Sequence, residues 1–120
     1  PTGWHVPSNV EWSTLIDYLD PNASGGDSYP NSAGGHMKST SGWDSPNEGA
    51  TNESGFTGLP GGFRDFDGPY NYIGRHGFWW SSTAFDNTGA WHRELYFNDT
   101  NVFRQDLLKQ FGFSVRCVRD

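Results

Sequence analysis

Apolar side chains recur along this chain with two different periods. Trp12, Leu15, Ile16 and Leu19 stand at i, i+3, i+4 and i+7, one stripe of a helix. Ser8 and Glu11 stand where a capping box needs them, each side chain able to bond the other's backbone N–H. A helix is therefore predicted over residues 8–19, ended at Asp20-Pro21-Asn22 because Pro disfavours the helical conformation of the residue before it. From residue 55 onward the period shortens to two. Strands are predicted at Gly55–Leu59, Gly77–Ser82, Trp91–Phe97, Val102–Leu108 and Phe113–Arg119. In the third of these, Trp91, Arg93, Leu95 and Phe97 share one face, and His92, Glu94 and Tyr96 share the other. Asn98-Asp99-Thr100-Asn101 is the turn of a hairpin.

Between helix and strands, residues 20–55 are dominated by Asn, Ser, Gly, Asp and Pro, with room for a short helical turn near 33–38. A loop of that length in a compact domain must be pinned, and Trp43 is its apolar anchor. One helix, a long irregular region and a small, mostly antiparallel sheet make an α+β domain.

Composition changes this picture in one respect. Only 33% of residues are hydrophobic but 17% are aromatic, so the core must be built largely from rings. The net charge of −6 and the absence of a basic cluster remove the electrostatic footprint of a nucleic-acid binder. No apolar run is long enough for a membrane span. Cys117 is the single cysteine, which excludes an internal disulfide and any multi-thiolate metal site. Three readings of it stay open: a buried structural thiol, a reactive thiol, or half of a disulfide whose partner lies outside this sequence.

Four segments together resemble the Fibrobacter succinogenes major paralogous domain: Pro1-Thr2-Gly3-Trp4 with the helix-cap phrase that follows, Leu59-Pro60-Gly61-Gly62, Trp79-Trp80-Ser81-Ser82-Thr83, and Phe113-Ser114-Val115-Arg116-Cys117. The resemblance covers nearly the whole chain. It implies a C-type-lectin-like fold, of the branch that holds formylglycine-generating enzyme and retroelement-diversified variable proteins. It also implies an extracellular or cell-surface location in Bacteroidota and related bacteria, often as a lipoprotein or appendage tip. Residues 1–120 are then one domain, expected to be a fragment of a longer surface protein. A Cys just before the Pro-Thr-Gly-Trp phrase is common in that family, which favours a lost disulfide partner for Cys117.

The function so implied is non-catalytic recognition of a glycan or a host or microbial surface protein, with no nucleic acid and no direct membrane insertion. The alternative is a structural module with no ligand of its own. The expected binding face consists of Phe85, Asn87, His92, Glu94, Tyr96, Asn98, Asp99, Asn101, Phe103, Gln105 and Leu107, a mixture of aromatic and polar side chains suited to adaptable contacts. Its make-up is compatible with a diversified variable surface. Trp12, Trp91 and Leu95 are expected in the scaffold beneath it.

A calcium site is the one candidate cofactor. Asp44, Asn47, Asn52 and Glu53, with Glu48, crowd the loop before Gly55, and hard oxygen ligands suit Ca²⁺. Asx turns explain the same residues. The histidines His5, His36, His76 and His92 have no metal-binding spacing. Ser81 and Ser82 have no nucleophile elbow around them. Formylglycine-generating chemistry requires a pair of active cysteines, and this chain has one. Paired carboxylates can do acid–base work, and Asp65, Asp67 and Glu94 are the candidates for it.

Overall fold

In the computed structural model, which describes residues 1–120, the termini meet. Strand β1 (Trp4–His5) pairs antiparallel with the last strand, β7 (Val118–Arg119). His5 fastens this junction, with Nδ1 2.7 Å from Asp120 Oδ1 and Nε2 2.8 Å from Glu11 Oε1. Both ring nitrogens face carboxylates, so the imidazolium is the form that fits.

Asp120, and Glu11 next, raise the His5 pKa above its ordinary 6.5. Glu11 is held down to about 2 by the Ser8 backbone N–H first and then by His5. The His5 contribution is complete below pH 6.5 and disappears as pH rises through its raised folded value. The Glu11 contribution is present above pH 4.5, its ordinary value, and disappears as pH falls through about 2. The clasp should therefore be tightest between pH 4.5 and 6.5. An NMR titration checks this: Asp120→Asn should move the His5 midpoint down toward 6.5, and an unmoved midpoint would show that the contact does not form in solution.

Helix α1 (Asn9–Leu19) starts at the Ser8–Glu11 capping box and stops at Asp20, whose backbone is extended. Trp12 and Ile16 are its buried stripe. The long segment after it is shaped by one 3₁₀ turn at Ser24–Gly26 and a short helix, α2 (Ala33–Met37), where the short turn is expected. The central sheet is antiparallel in the order β4 (His76–Ala84), β5 (Gly89–Tyr96), β6 (Val102–Leu108). A small separate ladder joins β2 (Phe63–Arg64) to β3 (Tyr70–Asn71). The chain is thus α+β, with few helices and small antiparallel sheets.

Two predicted strands are not strands. Gly55–Leu59 contributes only an isolated bridge from Gly58 to Lys38. Phe113–Arg119 is regular only at Val118–Arg119, with a single bridge from Ser114 to Trp79. Both segments lie at the margin of the sheet and are fixed by individual contacts, so an apolar pattern was present without a continuous ladder.

One face of the central sheet packs under α1. Trp12, Ile16, Met37, Phe56, Trp79, Leu95 and Val102 form this core, and Phe56 sits edge-on between Trp12 and Trp79. Trp43 packs against it and donates from Nε1 to the Gly58 carbonyl. Arg93 also points this way and is fully buried. Its guanidinium donates to the Asn9 side-chain and backbone oxygens and to Ser13 Oγ, so it holds the first turn of α1 on the sheet. Burial without a carboxylate partner pulls its pKa down to about 10, and it remains charged at neutral pH.

The 20–55 segment is pinned by an internal cation. Lys38 is fully buried, and its ammonium donates to the carbonyls of Glu48 at 2.7 Å, Tyr96 at 2.9 Å and Asp99 at 2.8 Å. It also lies 5.6 Å from the centre of the Trp43 ring. Desolvation pulls the Lys38 pKa down to about 8, which leaves the ammonium protonated at pH 7.

Candidate functional site

The face of the sheet opposite α1 is where recognition residues were expected. Phe78, Trp80, His92, Glu94, Tyr96 and Phe103 alternate onto it from three strands. Most of it is covered. Ser114 donates to the Phe78 carbonyl and accepts from the Trp80 N–H, which lays Phe113 over the sheet. The Phe113 ring lies 4.2 Å from Trp80, 5.0 Å from Phe78 and 4.8 Å from His92, centre to centre.

His92 and Glu94 are consequently buried, at 1% and 9% exposure, and are not part of an exposed face. Alternation separates the two faces of β5 but carries no sign that the C-terminal segment folds back over the second. His92 Nε2 lies 2.6 Å from Glu94 Oε1, and Tyr96 donates its hydroxyl to the other Glu94 oxygen. A carboxylate only accepts, so Nε2 carries the proton and the buried Nδ1 is left as an acceptor with no partner. Burial, then the Glu94 hydrogen bond, raises the Tyr96 pKa well above the ordinary phenol range. His76 stacks between Tyr72 and Tyr96, and burial lowers its pKa.

The remaining expected residues divide between the two ends of the sheet. Phe85 and Asn87 are exposed in the β4–β5 turn, with Phe85 edge-on to Trp91. Asn98 is exposed in the β5–β6 turn. Asp99 and Asn101 in that turn hold structure: Asp99 accepts from Asn101, and Asn101 accepts from the Asn31 N–H. Phe103 is half-buried between Tyr96 and Tyr29, Leu107 is half-buried, and Gln105 is exposed. The eight residues of β5 separate the two turns by roughly 25 Å at about 3.3 Å per residue, too far to form one patch.

The open concave surface lies beside this face. β2 is locked to the C-terminal segment by reciprocal Arg64–Gly112 backbone bonds of 2.8 Å. Phe63, Arg64, Tyr70, Gly112, Phe113 and Ser114 line a cleft of about 290 Å³. Gly62 makes it possible: its φ is +62°, and a Cβ there would stand 2.1 Å from the Asn71 carbonyl oxygen. Phe63 is the hub, in edge or tilted contact with Tyr72, Phe78, Phe111 and Phe113. Phe66 packs on Phe111 yet is 63% exposed, and Tyr70 is 69% exposed. Arg64 is exposed and makes no ion pair.

A second hollow of about 330 Å³ adjoins the first through shared residues Gly61 and Ser114, and is lined by Leu59, Trp79, Val115 and Arg116. A third, of about 120 Å³, shares Phe56 and Arg116 with the second and reaches Cys117. The three hollows adjoin in turn along residues 112–118, and this row of hollows is termed the trough. The Fibrobacter succinogenes major domain matches residues 1–119 of the sequence.

The chain belongs to the Fibrobacter succinogenes major domain family.

No curated protein and no solved structure matches it. In this Fibrobacter succinogenes major domain, the segments that carry the resemblance have physical roles. The cap phrase starts α1, and Leu59-Pro60-Gly61-Gly62 shapes the junction of the first two hollows. Trp79 enters the core while Trp80 enters the opposite face, as alternation requires. Ser81 donates to the Trp91 carbonyl and accepts from the Thr83 N–H, a structural hydroxyl.

Of the loop residues expected to hold calcium, some are engaged locally, while the Asn47 Oδ1 is buried without a hydrogen-bond partner. The Asn52 side chain bonds Thr57 twice, Asn47 donates to the Ser39 carbonyl, and Glu53 lies 3.7 Å from His36. Asp44 stands beside Gly74. No group of three or more His, Cys, Asp or Glu side chains is placed to hold a metal ion. No helix is long and apolar enough to cross a membrane.

The cleft residues Phe63, Arg64 and Tyr70, and the rings Phe66 and Phe111 beside them, lie outside the expected binding face. The available signal was the density of rings in residues 63–72 directly after Pro-Gly-Gly. Their placement against residues 111–114 depends on pairing across some fifty positions, which no local pattern encodes.

Proposed function

We propose that this domain is a non-catalytic recognition module of a secreted or cell-surface bacterial protein, and that it binds a glycan in the cleft between β2–β3 and residues 111–114. The observation that carries this reading is an open, preformed hollow lined by the exposed ring of Tyr70, the half-buried rings of Phe63 and Phe113, and Arg64, which makes no ion pair. Sugar rings present apolar C–H faces that pack on aromatic side chains, and their hydroxyls accept from a donor-rich group such as Arg64. Large apolar side chains left on a surface mark interaction sites when they cluster, and exposed Tyr70 lines the cleft while exposed Phe66 and Tyr72 pack on its neighbours Phe111 and Phe63. A cleft this shallow gives weak single-site binding that multivalent display strengthens. A C-type-lectin-like fold is the proposed architecture; paired termini, a long loop region and a central antiparallel sheet support it.

The test is a glycan array probed with a multivalent display of residues 1–120. Phe66→Ala with Tyr70→Ala should lower binding about tenfold, since each ring packed on a sugar face contributes about 0.5–1.5 kcal/mol. Phe85→Ala with Asn87→Ala, at the far turn, should leave it unchanged. Binding lost only in the second pair would move the site back to the β4–β5 turn. A folded protein that binds nothing would make the domain a structural module.

A further inference from the structure

We infer that the ligand of this trough is an anionic glycan, engaged by Arg64 and Arg116 together. The inference rests on the glycan-binding reading above and adds the charge of the ligand.

The chain has eight Lys and Arg residues, and their positions separate into two groups. Lys38 is enclosed by three carbonyls, and Arg93 is buried against Asn9 and Ser13. Arg104 forks onto Asp27 through two bonds, and Lys109 donates to the carbonyls of Asp86 and Asn87. Arg64, Arg75, Arg116 and Arg119 have no carboxylate within ion-pair distance. Two of these four, Arg64 and Arg116, line the trough.

Unpaired arginines are unexpected in a chain with fourteen Asp and Glu. Glu11 is the one acid that lines the trough, in its third hollow, and it is already held by Ser8 and His5. The Arg64 backbone is bonded to Gly112, and the Arg116 guanidinium is supported from beneath, 5.1 Å from the centre of the Phe56 ring. A guanidinium so placed keeps its planar fork of N–H donors free for a carboxylate or sulfate.

Spacing favours a ligand with repeated charges. Gly112, the backbone partner of Arg64, is four residues from Arg116, at most about 14 Å of extended chain. A single acidic sugar meets one guanidinium; a charged oligosaccharide lying along the trough meets both. The net charge of −6 does not oppose this at contact range, because exposed charges are screened beyond about 8 Å at physiological salt. It does disfavour indiscriminate adsorption of polyanions, so contact geometry selects the ligand.

The experiment is titration of residues 1–120 with an oligogalacturonide, its methyl ester, sulfated dextran and neutral dextran. At least one anionic probe should bind about tenfold or more tighter than its neutral counterpart, the size expected of hydrogen bonds to a charged group. Arg64→Gln and Arg116→Gln should each remove most of that preference, Arg64→Lys should restore only part of it, and Arg75→Gln should not alter it. Preference for the uronate or for the sulfate identifies the acid group, and either supports the inference. Equal binding of charged and neutral probes, lost in Tyr70→Ala, overturns the inference and keeps the glycan reading. An anionic preference that survives both Gln substitutions also overturns it. No binding by any probe, with Tyr70→Ala indistinguishable from the parent, overturns both.

Discussion

Lys38→Met should lower the stability of this domain by about 3 kcal/mol, a large share of the roughly 5–15 kcal/mol that holds a typical domain together. Met matches Lys closely in length and volume, so little cavity is made. What is lost is one donor group serving three carbonyls, from Glu48 in the long loop, Tyr96 at the end of β5 and Asp99 in the following turn. Each buried carbonyl left without a donor costs about 1–3 kcal/mol. Two effects reduce the total: the loop carbonyls can move toward water, and the ammonium's desolvation penalty, visible in its lowered pKa, is relieved. The unmet carbonyls outweigh these because they come from two segments distant in the chain, the long loop and the end of β5 with its turn, which cannot both relax at once. Urea denaturation followed by Trp fluorescence measures the loss. Hydrogen exchange should also show residues 44–55 opening before the central sheet. A change below about 1 kcal/mol would mean that another contact pins the loop.

Gly34→Ala should destabilise by about 3 kcal/mol, although helix propensity alone predicts a gain of up to about 1 kcal/mol for Gly to Ala inside a helix. The opposite sign comes from a close approach. A Cβ on Gly34 would stand 2.1 Å from the Asn101 carbonyl oxygen and 2.8 Å from that of Thr100. Neither carbonyl is free to retreat. Thr100 accepts from the Gly35 N–H, the Asn101 side chain accepts from the Asn31 N–H, and Asn31 in turn accepts from the Val102 N–H. Inserting a methyl group must therefore push α2 away from β6 and weaken several bonds together. Gly55→Ala is the comparison: its φ is +68° but no atom lies within 4 Å, so only backbone strain of about 1 kcal/mol applies. Thermal unfolding of the two variants should separate them clearly. A stabilised Gly34→Ala protein would show that the helix–turn contact is looser than its geometry implies.

Both variants lie in or against the segment that was hardest to read. Residues 20–55 have the composition of a loop, and the apolar anchor Trp43 was recognisable in them. Lys38 was not, because a lysine among serines and glycines carries no sign of burial. Its acceptors are backbone carbonyls, and one of its partner segments lies about sixty residues away in the chain. The acidic and amide residues nearby offered a more visible device, a calcium site, for the same mechanical need.

A similar limit applies to the proposed binding surface. The alternation in Trp91–Phe97 correctly assigned Leu95 to the core and His92, Glu94 and Tyr96 to the opposite face. It also placed Arg93 with the core face, where its burial against α1 is the less expected result. It could not show that Phe113 covers the opposite face, since that depends on where the C-terminal segment returns. With that segment in place, the open surface moves to the Phe63–Tyr70 cleft.

The features set by the sequence alone are those with local causes. The capping box and the 3.6-residue stripe place α1, and the period-two runs place β4, β5 and β6. Ring-rich composition alone overstates the core, which holds Trp12, Phe56 and Trp79 among aliphatic side chains while many other rings stay exposed. The family, too, follows from the order of short motifs. Only tertiary structure decides which side of the sheet is covered, which cations are enclosed and which are left unpaired. Burial of a side chain is determined by segments distant in sequence, and local periodicity cannot report how those segments return.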